Sequence, residues 1–170
     1  MSRERAVPVV SLVGKSGVGK TTVLEPIIRE LKRRGYRVAT VKHDTHDFDI
    51  DKPGKDSWRL AQAGSDVVAI SGPKKMALIR RLDEEMPLDD VLALMQDVDL
   101  IITEGYKRGD KRKIEVSRAE RSRELLCQPE ELIAIMTDHP IDMPVPQFAL
   151  DDATGLVDLL EESLIARSRS

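Results

Sequence analysis

The feature that most constrains the fold is a glycine-rich loop between an apolar strand and an amphipathic helix. Residues 7–13 form a short, mostly β-branched apolar run, which predicts a strand buried on both faces. Residues 21–34 then carry apolar side chains at helical spacing, and Gly35 is placed to end that helix as a left-handed cap. Residues 37–41 predict a second strand. The two strands are therefore expected to be parallel members of a βαβ unit.

The rest of the chain repeats this alternation. Helices are predicted at 57–63, 88–95 and 153–165, and strands at 66–71, 98–103, 113–116 and 132–136, with a short apolar piece at 145–150 before the last helix. The strand at 113–116 alternates in polarity, which predicts that it is half-exposed. The pattern indicates the α/β class, a P-loop NTPase-like fold with a mostly parallel sheet and helices on both faces. We expect a single nucleotide-binding domain over 1–170, frayed at about 1–6 and 166–170.

The loop fits the pattern G-x-x-x-x-G-K-[ST]. Glycines let backbone N–H groups turn inward around phosphate oxygens, and the helix that follows adds its positive dipole end. The lysine reaches the β- and γ-phosphates, the threonine hydroxyl ligates Mg²⁺, and the next residue lies beside the α-phosphate. A plain glycine turn is the alternative, but the flanking strand and helix favour phosphate binding. The residues are Gly14, Lys15, Ser16, Gly17, Val18, Gly19, Lys20, Thr21 and Thr22.

Lys15 leaves two interpretations open. A lysine directly after the first glycine also occurs in dimeric P-loop ATPases whose subunits reach into each other's sites. A solvated side chain explains the residue equally well.

A magnesium-bound triphosphate needs acidic groups at the carboxyl ends of neighbouring strands. Asp44 follows the second strand, Glu104 ends the buried run at 98–103, and Asp138 follows the strand at 132–136. Glu104 stands in the position of a Walker B acid, and the apolar run before it favours function over a solvated carboxylate. For Asp44 the two interpretations are balanced.

Asp138 has a different candidate role. A carboxylate at the end of a late strand can accept both N1–H and N2–H₂ of guanine, which adenine does not offer. Thr137-Asp138 resembles a remnant of a guanine-reading pattern without its usual Asn/Thr-Lys spacing. A capping or turn aspartate before Pro140 is the competing interpretation.

The polar segment at 43–51 contains two histidines and four aspartates. These residue types can ligate a metal, although a solvated acidic loop explains them as well. Downstream, Lys55 is a candidate anion contact, and Asp56 or Ser57 is expected to cap the following helix.

Composition excludes several classes of function. Lys and Arg total 27 against 30 Asp and Glu, a net charge of -3 that argues against a general nucleic-acid binder. Aromatic residues make up only 3%, so base stacking on a ring-rich surface is not expected. The single cysteine, Cys127, excludes an internal disulfide and is expected to be half-buried rather than nucleophilic. Without a signal-peptide core or an apolar run of spanning length, a cytoplasmic protein without membrane contact is expected.

The loop and several strings downstream of it together resemble the molybdopterin-guanine dinucleotide biosynthesis protein B (MobB) family. The resemblance runs from about residue 9 to the last helix. Two departures are Lys15 at a variable loop position and Pro26 where a helix former is expected. The strings are Val41-Lys42-His43-Asp44, Pro53-Gly54-Lys55-Asp56-Ser57, Ala63-Gly64, Glu104-Gly105-Tyr106-Lys107, Lys113-Ile114-Glu115-Val116 and Thr137-Asp138.

This resemblance implies a homodimeric GTP-binding adaptor that assists the guanylyltransferase joining GMP to molybdopterin, with molybdopterin itself as a further candidate ligand. At most slow GTP hydrolysis is implied, resting on Lys20 and Glu104. Glu104 would serve the metal, with Thr21 and Asp44, or the attacking water. Asp138 would read guanine. The side facing the pterin or the partner enzyme would hold His43, Lys55, Asp56 and Lys107.

Two other functions stay open. A metallochaperone GTPase would use His43, His46 and the nearby aspartates, although no cysteine lies beside them. A small-molecule kinase would need a lid with arginines, which a solvated basic surface also explains. The candidate arginines are Arg108, Arg112, Arg118, Arg121 and Arg123.

Overall fold

The structure, a computed structural model, describes residues 7–166. The chain divides into two compact units. The sheet unit comprises Met1–His43 with Met95–Ser170, and the hairpin unit comprises Asp44–Leu94. Apart from Ala166, the frayed ends expected at about 1–6 and 166–170 lie outside the described residues, and a single domain over 1–170 stays a prediction.

Eight strands and four α-helices follow one another along the described chain. The last helix continues as a π-helical turn at Glu161–Ile165, and a 3-10 turn at Pro129–Glu131 precedes the seventh strand. Most predicted bounds are correct to within two or three residues. The elements are β1 (Val9–Val13), α1 (Lys20–Arg33), β2 (Val38–Lys42), α2 (Asp56–Gln62), β3 (Val67–Ser71), β4 (Met76–Arg80), α3 (Leu88–Ala93), β5 (Leu100–Glu104), β6 (Arg112–Ser117), β7 (Leu132–Thr137), β8 (Gln147–Ala149) and α4 (Ala153–Leu160).

Six strands form one sheet in the order β2-β5-β1-β6-β7-β8. Every pairing in this sheet is parallel, so the predicted fold class is confirmed. The strands of the first βαβ unit are parallel but not adjacent, because β5 lies between β1 and β2. The carboxyl ends of β1, β5 and β6 therefore meet at one edge, where ligands bind in sheets of this kind.

Helices α1 and α4 pack against each other on one face of the sheet. Their apolar stripes bury Ile27, Leu31, Leu156 and Leu160 almost completely. Truncating one of these side chains to alanine typically costs ~2–5 kcal/mol. The other face of the sheet holds a smaller cluster of Val13, Cys127, Leu132 and Ile135, to which side chains of residues 125–145 contribute.

The ends of both helices agree with their sequence signals. Gly35 takes the left-handed conformation after α1, with φ at 89°, and its N–H bonds the Lys32 carbonyl. Of the two aspartates before α4, Asp152 is the cap, because its carboxylate accepts the Gly155 N–H at 2.9 Å.

The prediction of a half-exposed strand at 113–116 is wrong, because β6 is an inner strand and almost fully buried. Its two charged side chains have partners. The Lys113 ammonium lies 2.8 Å from a Glu131 carboxylate oxygen and also bonds the Gly109 carbonyl. The Glu115 carboxylate accepts the backbone N–H groups of Leu126 and Cys127. Buried charges are tolerated where they are paired in this way.

Cys127 is more deeply buried than expected, at 4% exposure. Burial, and then the nearby Glu115 carboxylate, raise the pKa of its thiol to about 12. The thiol is therefore not activated as a nucleophile.

The hairpin unit holds α2, α3 and an antiparallel pair, β3 and β4. The strand predicted at 66–71 is β3, but it belongs to this hairpin and not to the parallel sheet. Its partner β4 was not predicted, although Gly72 and Pro73 before it are turn signals. Within residues 7–166, no helix is both long and apolar enough to cross a membrane.

Candidate functional site

The loop after β1 has the backbone geometry of a phosphate cradle. Gly14, Gly17 and Gly19 all have positive φ, at 153°, 73° and 84°. At Gly14 the strand β6 comes so close that a methyl group would lie 2.6 Å from the Val116 carbonyl oxygen. Only glycine fits that position, which explains the first glycine of the motif in physical terms.

Helix α1 begins directly at this loop. Gly19 stands at its N-cap in the left-handed conformation, and within the described residues no side chain caps this end. The Gly19 carbonyl already accepts the N–H of Val23, which starts the helical hydrogen-bond pattern. The first N–H groups of the helix have no acceptor within the helix itself, and the dipole favours an anion there.

Lys20 lies inside the loop rather than in solvent. Its ammonium donates to the Gly14 carbonyl at 3.1 Å and to the Lys15 carbonyl at 3.3 Å. The ammonium thus lies across the mouth of the loop. Phosphate oxygens of a bound nucleotide would replace these two carbonyls as its hydrogen-bond acceptors.

Thr21 and Glu104 meet at the carboxyl end of the sheet. β1 and β5 pair so that Leu12 is opposite Glu104, and the Thr21 hydroxyl donates to the Glu104 carboxylate at 2.9 and 3.1 Å. A hydroxyl and a carboxylate beside a phosphate cradle form a donor set that suits Mg²⁺, which prefers oxygen ligands and leaves several positions to water and phosphate. The residues present therefore fit a magnesium nucleotide.

The segment after β6 lies against the phosphate loop, which the sequence did not predict. The Arg118 Nε donates to the Val18 carbonyl at 2.8 Å. A methyl group at Gly17 would lie 3.7 Å from the guanidinium carbon of Arg121. Two of the arginines interpreted as solvated surface are thus next to the loop. No local motif marks them, since only the pairing of β6 with β1 brings them there.

Lys15 is neither free in solvent nor extended away from its own chain. Its ammonium donates to the Ser122 hydroxyl at 2.6 Å and lies 3.3 Å from a Glu124 carboxylate oxygen. The side chain is still about one-third exposed, at 34%, so both interpretations of Lys15 stay predictions.

Asp138 is tied to its own surroundings. One of its oxygens accepts the Ala119 N–H at 2.9 Å and lies 3.0 Å from Nδ1 of His139. These hydrogen bonds, that of His139 first, lower the pKa of the Asp138 carboxyl below its ordinary value. The carboxylate thus joins the end of β7 to the segment after β6.

His43 and Tyr106 stack at the ends of β2 and β5. Their ring centroids are 4.4 Å apart, with 23° between the planes. The backbone N–H of His43 donates to the Glu104 carbonyl. Tyr106 has a φ of 54°, uncommon for a residue with a side chain. Lys107 follows it and is exposed.

The other predicted site residues belong to the hairpin unit and are exposed. Asp44 accepts the His46 N–H at 3.2 Å. The expectation that Asp56 or Ser57 caps α2 is wrong, because the helix begins at Asp56 with Lys55 at its N-cap, and the Ser57 hydroxyl donates to Asp51 instead. Among residues 7–166, no three His, Cys, Asp or Glu side chains are grouped so as to hold a metal.

Comparison with known proteins identifies the family. The family model for molybdopterin guanine dinucleotide synthesis protein B, MobB, matches residues 9–138. The chain belongs to the MobB family. The molybdopterin-guanine dinucleotide biosynthesis adapter protein of Escherichia coli K12 is 35% identical over 169 residues, which cover 95% of this chain and 96% of that protein. The protein of the same name in Haemophilus influenzae is 34% identical, over 93% of this chain and 90% of that protein.

Solved MobB structures have the same fold. The crystal structure of Bacillus subtilis MobB superposes with a TM-score of 0.73 at 28% identity, over 92% of this chain and 98% of that one. A crystal structure of molybdopterin-guanine biosynthesis protein B superposes with a TM-score of 0.71 at 30% identity, over 92% of this chain and 99% of that one.

Proposed function

We propose that this chain is a GTP-binding adaptor in the biosynthesis of molybdopterin guanine dinucleotide. Its E. coli and H. influenzae relatives carry the name of adapter proteins of that biosynthesis. The observation that carries the nucleotide part is the glycine loop facing the Thr21–Glu104 pair. An adaptor acts by contact with an enzyme, and the enzyme proposed here is the guanylyltransferase that joins GMP to molybdopterin, acting in the cytoplasm.

The nucleotide site is assigned residue by residue. Backbone N–H groups from Gly14 to Gly19 and the start of α1 hold the phosphates, with Lys20 on the β- and γ-phosphates and Thr22 beside the α-phosphate. Thr21 and Glu104 hold Mg²⁺, which when bound neutralises phosphate charge. Asp44 is retained as a candidate further ligand.

Hydrolysis is proposed to be slow at most. Glu104 and Lys20 are the two residues assigned to it, by contact with the metal or water and with the phosphates. Both oxygens of Glu104 accept from Thr21, and that geometry suits a metal-holding carboxylate better than a base that takes a proton from water.

Asp138 is proposed to read guanine through its second oxygen, since the first is occupied by Ala119 and His139. The ionised carboxylate, which is the form that accepts N–H groups, is the ordinary state of an aspartate at neutral pH, and the hydrogen bonds that lower the pKa of Asp138 agree with it. Replacing Asp138 by Asn should weaken the preference for GTP over ATP. An unchanged preference would remove Asp138 from base reading.

His43 and Lys107 of the sheet unit are proposed to contact the partner enzyme or the pterin, and Lys55 and Asp56 are proposed as contacts made by the hairpin unit by itself. The His43–Tyr106 stack supports this assignment, because planar rings and an adjacent cation suit a planar anionic ligand.

We propose a homodimer as well. The hairpin exposes large apolar side chains, among them Ile70 (47%), Met76 (67%) and Leu78 (52%), and a two-stranded hairpin is marginal in water by itself.

Calorimetric titration with GTP and with ATP, each with Mg²⁺, tests the proposal. We expect clear GTP preference and loss of most triphosphate affinity in Lys20→Ala. Lys107→Ala removes a nearby exposed cation and serves as the matched control, with unchanged GTP affinity. Equal binding of both nucleotides would contradict the guanine assignment and favour a kinase. Stoichiometric transition-metal binding that changes with nucleotide would favour a metallochaperone using His43 and His46.

A further inference from the structure

We propose that Arg118 and Arg121, in the segment Arg118–Glu124, form a second element of the phosphate site, in which Arg121 contacts phosphate oxygens of the bound nucleotide and Arg118 and Lys15 hold the two loops together. This arginine segment follows β6, so it reaches the phosphate loop from the strand on the other side of β1 from Glu104. The inference rests on the proposed nucleotide binding and adds residues that the loop motif does not contain.

Arg118 orients one peptide of the phosphate loop. In a trans peptide the carbonyl and the N–H point in opposite directions, and the Val18 carbonyl belongs to the same peptide unit as the Gly19 N–H. Because the Arg118 Nε holds the Val18 carbonyl at 2.8 Å outside the loop, the Gly19 N–H is directed to the inside. Arg118 is therefore a positioning residue for a phosphate-binding N–H group.

Lys15 fastens the other end of the segment. Its ammonium bonds the Ser122 hydroxyl and the Glu124 carboxylate, so the second residue of the phosphate loop is joined to the end of the arginine segment. The middle of the segment is fixed as well, because the Ala119 N–H donates to Asp138. Two sets of contacts from the phosphate loop after β1 and one from the end of β7 hold this stretch in place, as expected for a built site and not for a loose surface loop.

Arg121 lies between these contacts with its charge available. Its guanidinium carbon is 3.7 Å from where a methyl group at Gly17 would stand, and the side chain is exposed. Within the described part of the chain, this guanidinium forms no ion pair and no side-chain hydrogen bond. A planar cation fixed beside a phosphate cradle can bind phosphate oxygens in a bidentate manner.

The probe that isolates this role is inorganic tripolyphosphate with Mg²⁺, compared with GTP. Arg121→Ala should lose about ten- to a hundredfold in affinity for both, because one charge-assisted contact to phosphate is removed. Arg123→Ala is the matched control. It removes the same charge from the same segment, but Arg123 lines a separate cavity with Cys127 and His139, so only the small long-range effect of a lost positive charge should appear.

The positioning contacts are tested with a Ser122→Ala/Glu124→Gln double variant. Loss of a negative charge near the site would strengthen anion binding by long-range electrostatics alone. If these contacts position Arg121, the double variant should instead bind tripolyphosphate more weakly than the parent. The same two substitutions should not weaken binding in a protein that already carries Arg121→Ala.

The outcomes separate the two proposals. If the parent protein binds neither GTP nor tripolyphosphate, the proposed function fails. If the parent binds both and Arg121→Ala binds them equally well, only the phosphate role of Arg121 fails. Loss of GTP affinity with unchanged tripolyphosphate affinity would overturn the phosphate contact and place Arg121 at the base or ribose.

Discussion

Replacing Gly14 by alanine should destabilise the fold more than the same change at a glycine with open surroundings. At Gly14 the new methyl group would lie 2.6 Å from the Val116 carbonyl oxygen and 3.0 Å from Cγ1 of Val18. A backbone oxygen in a paired inner strand cannot rotate away, so β1 and β6 must separate or the loop must shift. The prediction therefore tests how closely the loop is packed on β6.

The magnitude follows from two contributions. A backbone at φ 153° is one that residues with side chains rarely adopt, which costs ~1–3 kcal/mol. Overpacking against fixed neighbours costs a further ~1–3 kcal/mol. Alanine also lowers the conformational entropy of the unfolded chain, which offsets ~0.4–1 kcal/mol of these costs. We expect Gly14→Ala to lower the free energy of unfolding by ~2–5 kcal/mol.

Urea unfolding of the parent, Gly14→Ala and Gly35→Ala is the assay. Gly35 also has positive φ, at 89°, but within the described residues a methyl group there would contact nothing within 4 Å. Gly35→Ala therefore carries the backbone cost alone, ~1 kcal/mol. If the two variants lose equal stability with unchanged m-values, the close approach of β6 to the loop is refuted.

Four further predictions concern single side chains. Glu104→Gln should remove most of the Mg²⁺ dependence of GTP affinity while leaving metal-free affinity unchanged, as titration with and without the ion would show; an unaltered dependence would exclude Glu104 as a ligand. Glu115→Ala leaves the buried N–H of Cys127 and the partly buried N–H of Leu126 without their acceptor and should cost ~2–5 kcal/mol in urea unfolding, whereas a loss below ~1 kcal/mol would mean that the segment re-forms its bonds elsewhere. Because burial raises the pKa of Cys127 to about 12, a thiol reagent should label the native protein at about pH 8 far more slowly than the urea-unfolded chain, and equal rates would contradict that burial. The lowered pKa of Asp138 stabilises the fold above the unfolded-state pKa of about 3.9, and this contribution is lost as the pH falls through the lower folded-state value; the stability difference between the parent and Asp138→Asn should therefore shrink in acid, and a difference that grows would reverse the assigned sign.

Much of the nucleotide site could be predicted from local signals. The residues on either side of the loop predict a strand before it and a helix after it. Glu104 ends a short apolar run whose composition predicts a buried strand. The Thr21–Glu104 contact joins residues 83 positions apart, yet both are recognisable from the elements that carry them.

The parts that could not be predicted depend on partners distant in the chain. Lys113 looks exposed by residue type, and only Glu131, 18 positions away, allows it to be buried. Arg118 reaches Val18 across 100 positions because β6 happens to pair with β1. No periodicity or motif in either segment contains that pairing, so the inner position of β6 and the contacts of the arginines are properties of the sheet order alone.

The bonds from Lys20 to the Gly14 and Lys15 carbonyls have a kinetic consequence. Because the lysine holds its own loop in a curved shape, a nucleotide has to exchange hydrogen bonds rather than order a floppy chain. The entropic cost of ordering the loop on binding is then small, and we expect capture in the ordinary range of about 10⁵–10⁷ M⁻¹s⁻¹ without a slow closing step. In the proposed nucleotide site, Lys20 would exchange these two carbonyls of its own loop for phosphate oxygens.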